Sequence, residues 1–159
     1  MYQKILVPLD GSALAECVLP PVESIAKGCG PAQVILARVV EPFKLFVGSE
    51  GYAFAREEMT KIEKEWDEQN KAQAEQYLNG IKKRFKEGNL DVQTAVLRGR
   101  AVEELTAMAE KQGIDLIAIA THGQSGVSRW VWGSVADRIL RSSCVPVLMV
   151  RAPGCVPGI

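Results

Sequence analysis

Two short segments of this 159-residue chain gather the residue types that hold small charged molecules. The first is Pro8-Leu9-Asp10-Gly11-Ser12, directly after the apolar run that opens the chain. A carboxylate at the end of a strand accepts hydrogen bonds from an adenine amino group or a ribose hydroxyl; the same carboxylate can instead cap the helix that follows. The second segment runs Ala120-Thr121-His122-Gly123-Gln124-Ser125-Gly126-Val127-Ser128-Arg129-Trp130-Val131-Trp132-Gly133-Ser134. Glycine lets backbone approach a phosphate closely, and a helix starting after Ser134 offers unpaired amide donors at the positive end of its dipole. The pattern describes an anion site, and equally a helix cap at Gly133-Ser134 with plain loop glycines at Gly123 and Gly126.

The same residues argue against a catalyst. There is no G-x4-G-K-[ST] phosphate loop, and Gly123-Gln124-Ser125-Gly126 lacks the G-x-S-x-G spacing of a nucleophile elbow. His122 is the single histidine, so any Ser/His/acid triad has to use it; in a loop beside phosphates it reads as an exposed or phosphate-contacting side chain. Cys17, Cys29, Cys144 and Cys155 form no CxxC pair or zinc spacing and read as reduced, mostly buried small hydrophobes. No metal site and no enzyme activity are expected.

Five elements rich in branched apolar residues must carry these loops: Ile5 to Leu9, Val34 to Val40, Val92 to Leu97, Leu116 to Ala120 and Val145 to Val150. Too short for helices and apolar on both faces, they read as buried parallel strands, which require crossover helices between them. The first crossover is expected over Ser12 to Lys27, ending at Gly28-Cys29-Gly30. The third spans Ala101 to Lys111, with Val102, Leu105, Met108 and Ala109 on one face. The last spans Val135 to Arg141, capped by Ser134 with Asp137 as capping-box partner. The second crossover, about Arg56 to Lys86, is strongly charged and has a polar gap around Gln69 to Gln73, so it reads as one long surface helix with a poorly buried middle. Before it, Glu41 to Ala55 reads as a loop whose Phe43, Phe46, Tyr52 and Phe54 either cap the core or cover a ligand or partner. Trp130 and Trp132 pose the same choice between packing under their loop and contacting a partner.

Composition bounds the partners. With 47% apolar residues and 19 basic against 19 acidic side chains, the chain can fill a core and carries no diffuse positive field for nucleic acid. The opening apolar run falls far short of the roughly 20 residues that span a bilayer. A cytoplasmic protein without nucleic-acid or membrane partners is the expectation, with one domain over residues 1–151 and a frayed tail over 152–159.

Ala120-Thr121-His122-Gly123, nine residues, then Gly133-Ser134 resembles the signature G-x-x-G-x9-G-[ST] of the universal stress protein family. Lys4-Ile5-Leu6-Val7-Pro8-Leu9-Asp10-Gly11-Ser12, Gly113-Ile114-Asp115-Leu116-Ile117 and Val145 to Arg151 are similar too, so the likeness runs from Tyr2 to Arg151. The resemblance implies a Rossmann-like α/β fold, a five-stranded parallel sheet of order 3-2-1-4-5 with helices on both faces. It implies bound ATP, with or without Mg2+: Pro8, Asp10 and Val39 around the adenine, Gly123, Gly133 and Ser134 at the ribose and phosphates, and Ile119 and Val135 completing the pocket. Arg98 or Arg100, around Gly99, lies where a phosphate contact or a solvated charge is expected. One departure stands at Ala120, where the signature has glycine; an alanine is excluded there, at about 1 kcal/mol or more, only if the position needs positive φ.

The resemblance also implies a homodimer in which Val147 to Val150 pairs antiparallel with its copy, since an exposed apolar edge strand has to be covered. On that reading Leu148→Pro removes a backbone donor from the pairing. The functional expectation is an ATP-binding regulatory stress-response module sensed by a regulatory protein partner. Two alternatives stay open: a dimeric interaction domain without nucleotide, and a slow ATPase or nucleotide-transferring enzyme.

Overall fold

The computed structural model describes residues 1–30, 32–43, 53–86, 90–121 and 133–151. Five strands form one parallel sheet: β1 (Lys4–Pro8), β2 (Gln33–Val40), β3 (Asp91–Arg98), β4 (Leu116–Ala120) and β5 (Val147–Val150), in the order β3-β2-β1-β4-β5. The expected order therefore holds. Period-two alternation divides the core between the two faces. Ile5, Val7, Val34 and Leu36 pack on one side with Val22, Leu78, Ile81 and Phe85, whereas Leu6, Ile35 and Ala37 pack on the other with Val102, Leu105, Met108 and Ile139.

The helices are α1 (Leu19–Gly28), α2 (Ala53–Lys86), α3 (Ala101–Gln112) and α4 (Ser134–Ser142). The first crossover differs from expectation. A 3-10 turn over Ala15–Val18 precedes α1, which begins at Leu19 with prolines in its first turn. Pro20 and Pro21 lack the N–H that a helix interior needs, so only the first turn can take them. Helix α2 starts at Ala53, inside the segment expected to be loop. Its middle is exposed at Gln69, Lys71 and Gln73 as its polarity requires, and so is Ile62 before it, while Ala74, Leu78, Ile81 and Phe85 bury the second half.

Val102, Leu105, Met108 and Ala109 form the buried face of α3 as the spacing predicts, and Gly113 ends the helix in left-handed conformation (φ 62°, ψ 45°). Two residues on, the Asp115 carboxylate accepts the N–H groups of Gln3 (2.7 Å) and Lys4 (3.1 Å), fastening the start of β1 to that of β4. This staple sits at the amino end of the strands and leaves their carboxyl ends to loops.

At the other edge, where β5 lies as expected, the register corrects the reading of Leu148. Val147 pairs with Ile117 and Leu148 with Ala118; the Ile117 N–H donates to Pro146 O (3.0 Å) and the Thr121 N–H to Val150 O (2.9 Å). In a parallel ladder these bonds recur every second residue, so Leu148 turns both its N–H and C=O toward β4. The outward backbone groups belong to Val147 and Met149. A proline at 148 therefore strikes the internal ladder and not the free edge. Cys144 is also corrected: it is exposed, while Cys17 and Cys29 are half-buried.

Candidate functional site

The connections from β1 and β4, neighbours in the sheet, lead to opposite sides, which opens a crevice at the carboxyl ends of these strands. A cleft of about 280 Å³ occupies this position. Pro8, Asp10, Val39, Ile119, Ala120, Gly133, Ser134 and Val135, all expected around a nucleotide from the sequence, line it together. Gly123, along with His122, Trp130 and Trp132, lies outside the described residues.

Each wall has a local cause. The Leu9 N–H donates to Ala37 O (2.8 Å), carrying the β1–β2 ladder one residue beyond the strand so that the chain turns away only at Asp10. There the carboxylate serves the turn. Asp10 Oδ1 accepts the Ser12 N–H (2.9 Å) and the Ser12 hydroxyl (2.6 Å), and Ser12 Oγ accepts the Ala15 N–H (3.1 Å). Asp10 thus organises the entry to the first crossover and borders the cleft, so the two readings of this residue are compatible.

Across the cleft, Ala120 is the last residue of β4 and pairs with Val150. Strand backbone has negative φ, which accommodates alanine without strain. Ala120 lines the cleft wall and is 7% exposed. Thr121 follows, buried, and its carbonyl accepts the Gly133 N–H (2.6 Å), which joins the end of β4 to the start of α4. Gly133 is the N-cap of α4 at φ −51°, ψ 132°, with no side-chain cap bond, and Ser134 is the first helical residue. The expected Ser134 capping box with Asp137 is therefore corrected: Asp137 donates its backbone N–H to Gly133 O (2.9 Å), and its side chain pairs with Arg141 (3.0 Å). Gly133, Ser134 and Val135 border the cleft at the start of α4, where the first turn of a helix carries amides without intrahelical acceptors.

Several wall residues escaped the sequence reading: Ala37, Ala101, Leu105, Thr121 and Ala136. Small residues spaced along α3 and β2 carry no motif, but Ala37 stands two residues before Val39 on the same strand face, a signal that period two supplies. Arg98 does not point to a phosphate site; it pairs with Asp67 of α2. Arg100 is exposed beside Glu103 (3.9 Å). Phe43 stacks on Trp66 of α2, ring centroids 5.3 Å apart, while Phe46 and Tyr52 lie outside the described residues. Among the described residues no group of three or more His, Cys, Asp or Glu could hold a metal ion, and no helix is long and apolar enough to cross a membrane.

The cleft therefore combines an apolar interior with one carboxylate-bearing turn on one rim and the start of α4 on the other. Comparison with known proteins identifies the fold. Universal stress protein MJ0577 of Methanocaldococcus jannaschii is 30% identical over 159 residues, covering 95% of this chain and 96% of its own. Its solved structure superposes with a TM-score of 0.82 at 27% identity, covering 97% of this chain and 99% of that one. At lower identity the fold is shared with a universal stress protein in complex with cAMP (TM-score 0.67, 22% identity, 95% and 98% covered). It is shared too with the Arabidopsis thaliana protein At3g01520 with AMP bound (TM-score 0.65, 13% identity, 96% and 93% covered). The model of the universal stress protein family matches residues 1–151, and the chain belongs to that family.

Proposed function

We propose that the protein is an adenine-nucleotide-binding regulatory module of the stress response, working as a cytoplasmic homodimer and not as a dedicated catalyst. The observation that carries this reading is the cleft itself. Its floor and inner wall are apolar (Ala37, Val39, Leu105, Ile119), suited to a flat base, and its polar groups sit at the rims. Asp10 borders one rim, where an acceptor can meet an adenine amino group or a ribose hydroxyl. Gly133 and Ser134 border the other, where the first-turn amides of α4 suit phosphate oxygens.

The volume, just below the roughly 300 to 1,000 Å³ of small-molecule sites, suits a base and sugar with the phosphates directed outward over α4. ATP supplies such a ligand; an accompanying Mg2+ takes phosphate oxygens and water as its ligands. Ala120 is compatible with this reading because it stands in strand conformation. The AMP and cAMP complexes of proteins with this fold support the ligand class. The half-buried edge strand β5 supports the dimer, whose second face would cover Val147 and Met149.

The test is to denature freshly purified protein, identify any released nucleotide, and titrate the stripped protein with ATP, AMP, cAMP and GTP by calorimetry. Adenine nucleotides bind and GTP binds at least tenfold more weakly, about 1.4 kcal/mol. A folded, stripped protein that binds none of them would leave the interaction-domain alternative.

A further inference from the structure

On the opposite side of β2 from the cleft wall, a contiguous set of side chains links α2 to the Asp10 turn. Val39 lines the cleft; its neighbour Arg38 projects to the other face of the sheet, as strand alternation requires. There the Arg38 guanidinium carbon stands 5.5 Å from the centre of the Tyr77 ring, within cation–π range. The same guanidinium lies flat against Gly11: a β-carbon built on that glycine would meet its Cζ and Nη1 at 3.2 Å and Nη2 at 3.3 Å. Gly11 has φ +90° and sits between Asp10 and Ser12, the two residues that close the cleft-side turn.

Tyr77 is held from its far end as well. Its hydroxyl donates to Glu16 Oε1 (3.2 Å), and Arg84, two turns further along α2, pairs with Glu16 Oε2 (2.7 Å). Glu16 belongs to the 3-10 turn that follows Ser12. Burial, then the charge of Glu16, hold the Tyr77 phenol in its protonated, donating form, with Asp10 adding to the same effect. The buried second half of α2 thus touches both sides of the Asp10–Ser12 turn, through Arg38 at Gly11 and through Glu16 beyond it.

We infer that Arg38 is a positioning residue that anchors the Asp10–Ser12 turn to α2 through Gly11 and Tyr77, so that a ligand in the cleft tightens the second half of α2. The coupling half of this inference rests on the adenine-nucleotide reading; the anchoring half stands without it. Coupling of this kind is reciprocal, because whatever α2 contributes to ligand affinity the ligand returns to α2. It gives a nucleotide-responsive module an output surface on the helix layer away from the ligand.

The test uses Arg38→Met, which keeps a long apolar stem and removes the planar cation, with Tyr77→Leu as a second variant that leaves the turn and its arginine untouched. Amide hydrogen exchange is followed at Ser12, Ala15 and residues 74–85, with and without ATP, alongside calorimetry and circular dichroism. In ligand-free Arg38→Met, Ser12 and Ala15 exchange on the order of fivefold faster, a local opening in a protein that stays folded. ATP affinity falls about tenfold, and ATP slows α2 exchange in the wild type but not in the variant. Tyr77→Leu moves each readout in the same direction by a smaller factor. If both variants fold and keep wild-type turn exchange, the anchoring is wrong; if ATP binds the wild type without altering α2 exchange, the coupling is wrong. A wild type that binds no adenine nucleotide overturns the ligand reading and the coupling with it, while turn exchange still decides the anchoring.

Discussion

Gly11 and Gly113 both have positive φ, and replacing each by alanine separates backbone strain from function. At Gly113 (φ +62°) an added methyl meets nothing within 4 Å, so Gly113→Ala carries only the left-handed strain of about 1 kcal/mol. At Gly11 (φ +90°) the strain is of the same order, about 1 to 2 kcal/mol. The difference lies in the neighbour. The methyl at 11 would sit 3.2 Å from the Arg38 guanidinium, tighter than ordinary van der Waals contact, and the flexible arginine gives way by a few tenths of an ångström. Urea midpoints for the two variants therefore fall by similar amounts, roughly 0.5 to 1 M for a slope near 2 kcal/mol/M. Calorimetry with ATP separates them: Gly113→Ala keeps wild-type affinity, and Gly11→Ala loses about tenfold, or 1.4 kcal/mol. Two variants equally destabilised and equally competent for ATP would refute the assignment of the Asp10–Ser12 turn to the site.

Gly133→Val combined with Gly123→Val weakens ATP binding at least tenfold with the fold retained, as read by calorimetry; φ −51° at Gly133 admits valine, so loss there reports close approach of ligand to backbone. Met149→Pro removes an outward donor of β5 and shifts the protein toward monomer in light scattering. Leu148→Pro, whose donor faces β4, lowers the melting temperature instead. Stability falls as pH rises past about 10, because unfolded tyrosine releases its proton there while folded Tyr77, its pKa raised by burial and Glu16, keeps it. Tyr77→Phe removes that contribution and flattens the alkaline decline, measured by urea titration at pH 9 to 11.

Where local chemistry settles a residue's place, the sequence was sufficient. The apolar runs gave all five strands to within two residues, and the spacing of Val102, Leu105, Met108 and Ala109 gave the buried face of α3. The start of α1 is the exception: the capping residues Asp10 to Ser12 pointed to a helix from Ser12, whereas the Pro20-Pro21 pair places it at Leu19, because a missing N–H and ring clash cost more than a cap returns. Ser134 shows the opposite limit. Serine is the better N-cap by preference, yet the Gly133 N–H is held by Thr121 O, and that tertiary bond fixes where the helix begins. Arg38 carried no signal in the sequence, since its meeting with Gly11 and Tyr77 depends on three elements arriving together from distant parts of the chain.

The alternation of one strand connects these two kinds of residue. At the carboxyl end of β2, Ala37 and Val39 face the cleft and α3, while Arg38 between them faces α2. A side chain on one face cannot move without the backbone that its neighbours on the other face share, and β2 is hydrogen-bonded on both sides, to β1 and β3, so its end resists independent displacement. The less constrained partner is the turn at Asp10–Ser12, where Gly11 is exposed and the chain leaves the ladder after Leu9. A ligand that orders the turn therefore acts against a fixed strand end, and the resulting force passes through the Arg38 guanidinium to Tyr77 instead of being absorbed in the sheet. Among its described side chains the helix that receives it is fully buried along its second half, leaving the polar middle and the exposed Ile62 as the surface through which a change in α2 can reach another protein.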